Sequence, residues 1–318
     1  MQSILPPQLT IIVPCFNEEQ AFAHCLTTLD RKLGKLVDLG KISDDSYLLF
    51  IDDGSVDATW NLIRKACDQN RRVQGIKLSR NRGHQIALWA GLEQVKSDIS
   101  ISIDADLQDD VEAIEKMVDV YLKGKEVVYG VRNDRTSDSF FKRTSADLFY
   151  RMMNQMGMQQ VNNHADFRLL SDRARLALLD YKETNLYIRG LVPLVGFPQG
   201  EVRYGRQARM AGESKYPLKK MLNLAVDGIT SFSTVPLRLI ALIGLATAIL
   251  SVFAASWAVV NKLAGGTVQG WASVMIAIFF LGGLQLFALG IIGEYIGKIY
   301  LETKSRPKYF IEETADRK

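Results

Sequence analysis

The sequence predicts an α/β fold: a mainly parallel sheet with helices on both faces, followed by an interface helix and two transmembrane helices. In the first half of the chain, short apolar runs alternate with helical stretches, a pattern typical of a parallel sheet. Later in the chain, two uncharged stretches are each long enough to cross a bilayer, which takes about 20 helical residues. The 318 residues therefore divide into a globular part and a hydrophobic part.

Five apolar runs, most of them ending at polar or breaker residues, indicate buried strands. They are Leu9–Pro14, Tyr47–Asp52, Val73–Leu78, Ile99–Asp104 and Val127–Val131. The helical stretches between them are Glu18–Leu36, Asp57–Cys67, His84–Val95 and Val111–Leu122. Because ligands of such sheets bind beyond the carboxyl ends of the strands, we expect the functional site at that edge.

The predicted domain organisation has four parts. They are a cytoplasmic globular domain (1–215), a juxtamembrane amphipathic helix (216–236), two transmembrane helices within 237–293 (about 239–260 and 271–293) and a cytoplasmic C-terminal tail (294–318). The alternative for the two apolar stretches is a pair of buried core helices, but core helices rarely exceed about 14 apolar residues. The alternative for the amphipathic helix is a surface helix of the globular domain.

Basic residues lie at the outer ends of the two apolar stretches. Those before the first stretch and after the second are Lys215, Lys219, Lys220, Arg238, Lys298, Lys304, Arg306 and Lys308. The short connection between them carries a single charge, Lys262. The positive-inside rule therefore predicts a multi-pass protein of the cytoplasmic (inner) membrane with the globular domain and both termini in the cytosol. The absence of a signal-peptide pattern in Met1–Gln8 favours the same location.

Overall composition excludes some classes of function. A net charge of +4 does not favour nucleic acid as a partner, because nucleic-acid binding usually requires a concentrated basic face. The three cysteines, Cys15, Cys25 and Cys67, have no metal-like spacing and indicate a reducing compartment.

Polar clusters follow four of the predicted strands. They are Asn17–Glu19, Asp52–Ser55, Ser79–Gly83 and Asp104–Gln108. No glycine-rich dinucleotide fingerprint follows the first strand, and no Walker-type phosphate loop occurs. A phosphate ligand would therefore have to be bound by a different kind of site. Asp104 and Asp106, two carboxylates one residue apart at a strand end, suit a divalent metal that bridges diphosphate oxygens. Oxygen ligands point to Mg²⁺ or Mn²⁺.

Several segments resemble the family-2 glycosyltransferases of GT-A fold. They are VPCFNEE, IDDGSVDAT, LSRNRGHQIALWAGL and IDADLQDD, and further along ADFRLLS, AGESKY, SFSTVPLR and IGEYIGKIYLETKSRPKYFI. The later segments resemble the polyprenyl-phosphate glycosyltransferases, which are relatives of dolichol-phosphate mannose synthase, and in particular bacterial bactoprenol glucosyltransferases of O-antigen modification. The resemblance extends from about Leu9 to Ile311.

The resemblance implies roles for individual residues. The implied nucleotide-sugar ligands are Pro14, Asn17, Glu18, Asp52, Asp53, Gln108 and Arg132; the implied metal ligands are Asp106 and Gln108; the implied catalytic residues are Asp104, Asp106 and Asp166; and the implied acceptor-phosphate ligands are Arg209, Ser214 and Lys215. For Asp166 we expect positioning or weak base assistance. Alternatively, Asp52 caps the next helix and Arg132 is a solvated loop arginine.

The implied reaction is the inverting transfer of a hexose, with glucose from UDP-glucose favoured, to undecaprenyl phosphate for modification of a cell-envelope glycan. Alternatives are the same reaction with mannose, N-acetylglucosamine or a modified arabinose, and a non-catalytic membrane scaffold. A polysaccharide synthase subunit is disfavoured because the sequence has neither a Glu-Asp dipeptide nor a Gln-x-x-Arg-Trp motif. The expected partners are the nucleotide-sugar, the polyprenyl phosphate and the membrane, with a homo-oligomer left open.

Overall fold

The structure is a computed structural model that describes residues 5–132, 164–184, 186–205, 234–264 and 270–316. These residues form two compact units. The first unit holds the described residues up to 205 together with 306–316, and the second unit holds the described residues from 234 to 305.

A mixed β-sheet forms the centre of the first unit. Its strands are β1 (Leu9–Cys15), β2 (Tyr47–Asp52), β3 (Val73–Leu78), β4 (Ile99–Ser102), β5 (Val127–Arg132), β6 (His164–Ser171), β7 (Gln199–Tyr204) and β8 (Ile311–Ala315). Their order is β7-β5-β6-β4-β1-β2-β3-β8. Strands β4, β1, β2 and β3 are parallel, whereas β6 runs antiparallel to both β4 and β5, and β8 antiparallel to β3. The predicted α/β class is confirmed.

The helices of the first unit lie at α1 (Phe22–Asp38), α2 (Thr59–Gln69), α3 (His84–Gln94), α4 (Ala113–Leu122), α5 (Asp172–Leu179) and α6 (Ile188–Leu191), with a 3₁₀ turn at Val192–Val195. Helix α1 begins at Phe22 and not at the predicted Glu18. The reason is local: the backbone N–H groups of Glu18 and Glu19 donate to side chains of the next loop, and Asn17 has a left-handed φ of 55°.

Helix α3 is packed against the centre of the sheet. Residues 87–92 of the helix are all buried. Gly91 allows the close approach, because a Cβ added there would lie 2.4 Å from the Cγ2 atom of Ile12 on β1. This contact fixes the position of His84, the first residue of α3, at the carboxyl edge of the sheet.

The second unit contains two long helices, α7 (Val235–Leu263) and α8 (Trp271–Thr303). Within them, Val235–Asn261 and Ile276–Thr303 are long and apolar enough to cross a membrane, and neither is buried inside the protein. Their exposed apolar surfaces suggest membrane association. Of the expected amphipathic helix at 216–236, residues 216–233 lie outside the described residues, and Val235 already begins α7.

Beyond α8 the chain contributes β8 to the sheet of the first unit. Gly75 of β3 pairs with Ala315, and Leu78 pairs with Ile311. Trp60 of α2 donates its indole N–H to Glu313 at 2.8 Å. The predicted C-terminal tail (294–318) therefore contains a strand that the sequence did not predict. How the four predicted domains lie relative to a membrane remains a prediction.

Candidate active site

The loops after β1 and β2 are joined by hydrogen bonds. The N–H of Asn17 donates to Ser55 Oγ at 2.9 Å, and Asn17 Oδ1 accepts from the N–H of Val56 at 2.9 Å. The N–H of Glu18 donates to Thr59 Oγ1 at 2.8 Å. Pro14 is buried within β1, whereas Asn17 is exposed. Two of the predicted nucleotide ligands, Asn17 and Glu18, therefore lie in one interconnected pair of loops.

Asp52 and Asp53 are both buried, and their predicted contact with the nucleoside remains a prediction. The carboxylate of Asp53 accepts from the N–H groups of Arg82 at 2.7 Å and Gly83 at 2.8 Å. Asp52 accepts from the N–H of Ser55 at 3.3 Å, and within the described chain its Oδ1 has no hydrogen-bond partner. Burial raises the pKa of both carboxyl groups. Asp53 thus holds the loop that leads into α3.

Asp104, Asp106 and Gln108 form a tight turn after β4. The N–H of Leu107, which has a left-handed φ of 46°, donates to the carbonyl oxygen of Asp104 at 3.2 Å. Asp106 is exposed and accepts from the backbone N–H of Gln108 at 3.2 Å and from its side-chain amide at 2.5 Å. The turn therefore presents the Asp106 carboxylate outward while it keeps Gln108 buried.

Carboxylates are concentrated at this turn. Partial burial raises the pKa of Glu18, and the charges of Asp106 and Asp104 raise it further. The pKa of Asp104 is raised by burial and by neighbouring carboxylates, among them Asp166, although His84 opposes the shift. Carboxylates that raise one another's pKa favour the binding of a cation.

The donor set fits a divalent metal that is shared with a ligand. No group of three or more His, Cys, Asp and Glu side chains placed to hold a metal is found in the part of the chain that the structure describes. Mg²⁺ is commonly held by one or two carboxylates plus substrate phosphates and waters. Asp106, with Asp104 and Gln108 beside it, matches that arrangement.

A second cluster surrounds Asp166 on β6. Asp166 is only 5 % exposed. Its carboxylate accepts from Arg168 Nη2 at 2.6 Å and from Gln85 Nε2 at 3.2 Å. Arg189 Nε and Nη2 donate to both of its oxygens, at 3.2 and 2.9 Å. Burial alone would raise the pKa of Asp166, but His84, Arg168 and Arg189 outweigh it and hold the pKa well below its usual range. The group is an ionised carboxylate surrounded by cations.

His84 connects the two clusters. Its Nε2 lies 3.6 Å from Asp104 Oδ1 and 3.5 Å from Asp166 Oδ2. Burial lowers the pKa of the imidazole, but the hydrogen bond to Asp166 and the charges of Asp104 and Asp166 outweigh this effect and raise it. Two residues predicted to be catalytic, Asp104 and Asp166, therefore approach the same imidazole.

Arg132, at the end of β5, is ion-paired. Its Nη2 lies 2.9 Å from Asp109 Oδ1, and Tyr204 donates its hydroxyl to the same oxygen at 2.8 Å. Asp109 is 3 % exposed, whereas Arg132 remains partly exposed. Arg132 is thus held by a buried carboxylate at the carboxyl edge of the sheet, and its contact with donor phosphates remains a prediction.

Sequence reasoning missed several residues of the site. They are His84, Gln85, Arg168, Arg189, Asp109 and Tyr204. The sequence offered a sign that His84 belongs to the site, because His84 directly follows the polar cluster Ser79–Gly83. No local pattern pointed to Arg189, because only the pairing of β4 with β6 brings its partner Asp166 to this edge of the sheet. Arg209, Ser214 and Lys215 lie outside the described residues.

Comparison with known proteins separates the chain into the same two regions. Residues 10–176 match the model of "Glycosyl transferase family 2", more than half of the chain. Residues 235–299, which include α7 and most of α8, match the "GtrB C-terminal hairpin".

Relatives extend this similarity over almost the full length. The chain is 52% identical to the uncharacterized glycosyltransferase YkoT of Bacillus subtilis (strain 168), over 96% of this chain and 91% of YkoT. It is 38% identical to the bactoprenol glucosyl transferase of Shigella phage SfX, over 96% and 99% of the two chains. It is 37% identical to the prophage bactoprenol glucosyl transferase homolog of Escherichia coli (strain K12), over 96% and 98%. The chain is therefore a glycosyltransferase that belongs to glycosyl transferase family 2 and carries a GtrB C-terminal hairpin.

Proposed function

We propose that this glycosyltransferase transfers a hexose, glucose from UDP-glucose in the first instance, to the phosphate of a polyprenyl lipid such as undecaprenyl phosphate. One observation carries the proposal: a carboxylate-rich turn at Asp104–Gln108 lies against a cation cluster at Asp166, and His84 contacts both. A metal-bound diphosphate suits the first cluster and an anionic acceptor suits the second. The relatives named bactoprenol glucosyl transferase support the same acceptor.

The donor side is argued from the paired loops after β1 and β2 and from the turn after β4. Asn17 and Glu18 lie in the paired loops, where the nucleoside would bind. Asp106, with Asp104 and Gln108, would hold Mg²⁺ or Mn²⁺. When bound, such a metal neutralises the charge that grows on the departing nucleoside diphosphate. Arg132, fixed by Asp109, supplies a further positive charge beside this turn.

The acceptor side requires little base catalysis. The second pKa of a phosphomonoester is about 6, so its oxygen is already anionic at neutral pH. That oxygen forms the new bond to the anomeric carbon as the bond from carbon to the diphosphate oxygen breaks. Asp166 is a poor proton acceptor, because its neighbouring cations hold its pKa well below the usual range. We therefore assign Asp166 to positioning His84 and Arg189.

The test is a transfer assay with membranes containing the protein, undecaprenyl phosphate and a panel of radiolabelled nucleotide-sugars, followed by thin-layer separation. We expect a labelled lipid product with UDP-glucose, and none when undecaprenol replaces the phosphate. Product with mannose, N-acetylglucosamine or a modified arabinose would keep the acceptor and change the sugar. A panel without any lipid-linked product would refute the proposal.

We further propose that both ends of the chain face the cytosol in the cytoplasmic membrane. The support is the basic residues near the outer ends of the two helices, with Arg238 in the first turn of α7 and Lys298 in the last turns of α8. A reporter fused after Lys318 and one inserted near Gly266 should then report opposite sides. If both reporters give the same compartment, the two-span topology is wrong.

A further inference from the structure

Two basic side chains around Asp166 are more accessible than the carboxylate that holds them. The side chains of Arg189 and His84 are 42% and 40% exposed, whereas that of Asp166 is 6% exposed. A buried carboxylate therefore anchors a guanidinium group and an imidazole that remain open to solvent. Such an arrangement fixes both groups in place without covering them.

The orientation of Arg189 is set by its two contacts. Nε and Nη2 bind the two oxygens of Asp166, at 3.2 and 2.9 Å, which fixes the plane of the guanidinium group. Within the described residues, Nη1 makes no hydrogen bond or ion pair. Arginine holds phosphate through several N–H groups in a fixed plane, so a pre-oriented guanidinium with donors to spare is suited to an anion.

Asp166 does not need Arg189 as a counter-ion. Arg168, which is 2% exposed, already lies 2.6 Å from Asp166 Oδ1 and supplies a buried positive charge. Arg189 is thus a second cation on a carboxylate that already has one. Because Arg189 is partly exposed and Asp166 already has a counter-ion, the Arg189 guanidinium can bind an external anion.

The location identifies which anion fits. His84, beside Arg189 on the same carboxylate, lies 3.6 Å from Asp104, in the turn that would hold the metal and the donor. An anion bound by Arg189 and His84 would therefore stand next to the donor sugar. A phosphomonoester has the charge and the several oxygens that these two side chains can bind together.

We propose that Arg189, with His84 beside it, binds the phosphate of the acceptor, and that Asp166 and Arg168 position the pair. The inference rests on the proposed function, since it names the site where the polyprenyl phosphate reacts. It places acceptor-phosphate contacts on α6 and α3, in addition to the basic residues Arg209 and Lys215 expected from the family resemblance.

The first experiment compares steady-state kinetics of the full-length protein and its Arg189→Ala, Arg189→Lys and His84→Gln variants in lipid vesicles. An ionic hydrogen bond to phosphate corresponds to about a 10- to 100-fold effect, so Arg189→Ala should raise the acceptor KM by about that factor. The donor KM should stay within about twofold. Arg189→Lys keeps the charge without the planar pair of donors, and its acceptor KM should lie between the two.

Arg173→Ala is the matched control, because Arg173 is an exposed arginine of the same unit that pairs with Glu126, away from this cluster. It should leave both KM values unchanged. An unchanged acceptor KM in Arg189→Lys and His84→Gln would overturn the inference, even if Arg189→Ala does not fold. A rise in the donor KM alone would also overturn it, since the anion bound there would be the donor diphosphate.

A binding measurement without any donor separates this inference from the proposed function. Farnesyl phosphate, inorganic phosphate and farnesol are titrated into the wild-type protein and the Arg189→Lys variant. We expect farnesyl phosphate to bind the wild type more tightly than either control compound, and to bind the variant more weakly. Equal binding to wild type and variant refutes the phosphate site. Binding that depends on Arg189 in a protein without transferase activity would refute the proposed reaction alone.

Discussion

Carboxylates at the carboxyl edge of the sheet bind two different kinds of partner. In the first half of this edge, the loop after β2, Asp53 accepts from two backbone N–H groups, and Asp57 accepts from the N–H groups of Glu19 and Thr59. In the second half, which comprises the segment after β4 and the start of β6, Asp109 and Asp166 bind arginine side chains. The same residue type therefore builds loops on one side and fixes cations on the other.

This difference has an electrostatic consequence. On the donor side, partial burial raises the pKa of Glu18, and the neighbouring charges of Asp106, Asp104 and Asp57 raise it further. A diphosphate binds there only together with a cation. On the other side, the partly exposed Arg189 offers its positive charge directly. The contrast predicts a metal on the donor side and a direct phosphate contact on the acceptor side.

The largest expected effect comes from Asp106, whose carboxylate accepts hydrogen bonds only from Gln108 within the described residues. Asp106→Asn should reduce transfer by about 10³-fold, since metal stabilisation of the departing diphosphate is worth several kcal/mol. Removal of divalent metal with EDTA should abolish wild-type transfer. Asp110→Asn, four residues further along the chain, is the control. Near-normal turnover of Asp106→Asn with Mg²⁺ present would show that the metal assignment is wrong.

Asp166→Asn tests the cation-binding half. It leaves the buried Arg168 without its carboxylate, and breaking a buried pair in this way costs about 3–5 kcal/mol of folding free energy. We expect a clear loss of stability in chemical denaturation, together with reduced transfer. An Asp166→Asn protein of wild-type stability would contradict the ion pairs of Asp166 with Arg168 and Arg189.

Asp53→Asn tests the backbone-binding half and should have a smaller effect. The amide retains one acceptor oxygen and loses the other, so one of the bonds to Arg82 and Gly83 is lost, at a cost of about 1–3 kcal/mol. The β3–α3 loop would loosen, and the donor KM should rise more than the acceptor KM. A larger rise in the acceptor KM than in the donor KM would contradict the assignment of this loop to the donor side.

Glu115, a cation-binding carboxylate outside the site, should affect stability alone. Hydrogen bonds from Lys32 and Lys41 lower its pKa from 4.5 to about 2. Because the folded-state pKa lies below the unfolded value, the contribution is complete above pH 4.5 and is lost as the pH falls towards 2.

Glu115→Gln should therefore lower Tm at pH 7 by about 2–4 °C, the shift that about 1 kcal/mol produces in a domain of this size. The difference from wild type should shrink as the pH falls through that window, while transfer at pH 7 stays unchanged. A Tm difference that does not depend on pH would contradict the assigned cause.

Local patterns in the sequence were sufficient to predict β1 to β5 and the helices between them, because these are short-range alternations of apolar and polar residues. They were also sufficient to group Asp104, Asp106 and Gln108, which lie in one turn. They could not place β6 between β4 and β5, since antiparallel pairing across the chain leaves no periodic signal. The contacts of Arg189 and His84 with Asp166 depend on that pairing and were therefore missed, although the family resemblance had already implied Asp166 itself.

Strand β8 has a consequence for the order in which the protein is made. A ribosome synthesises β3 long before β8, and both hydrophobic helices emerge between them. Until β8 arrives, the N–H and C=O groups along the outer side of β3 remain unpaired, and such an edge is prone to join other chains. Completion of the sheet therefore has to wait until the hydrophobic hairpin has been synthesised. A nascent chain that stalls within the hairpin carries an open sheet edge, which makes it a natural target for chaperones and proteases.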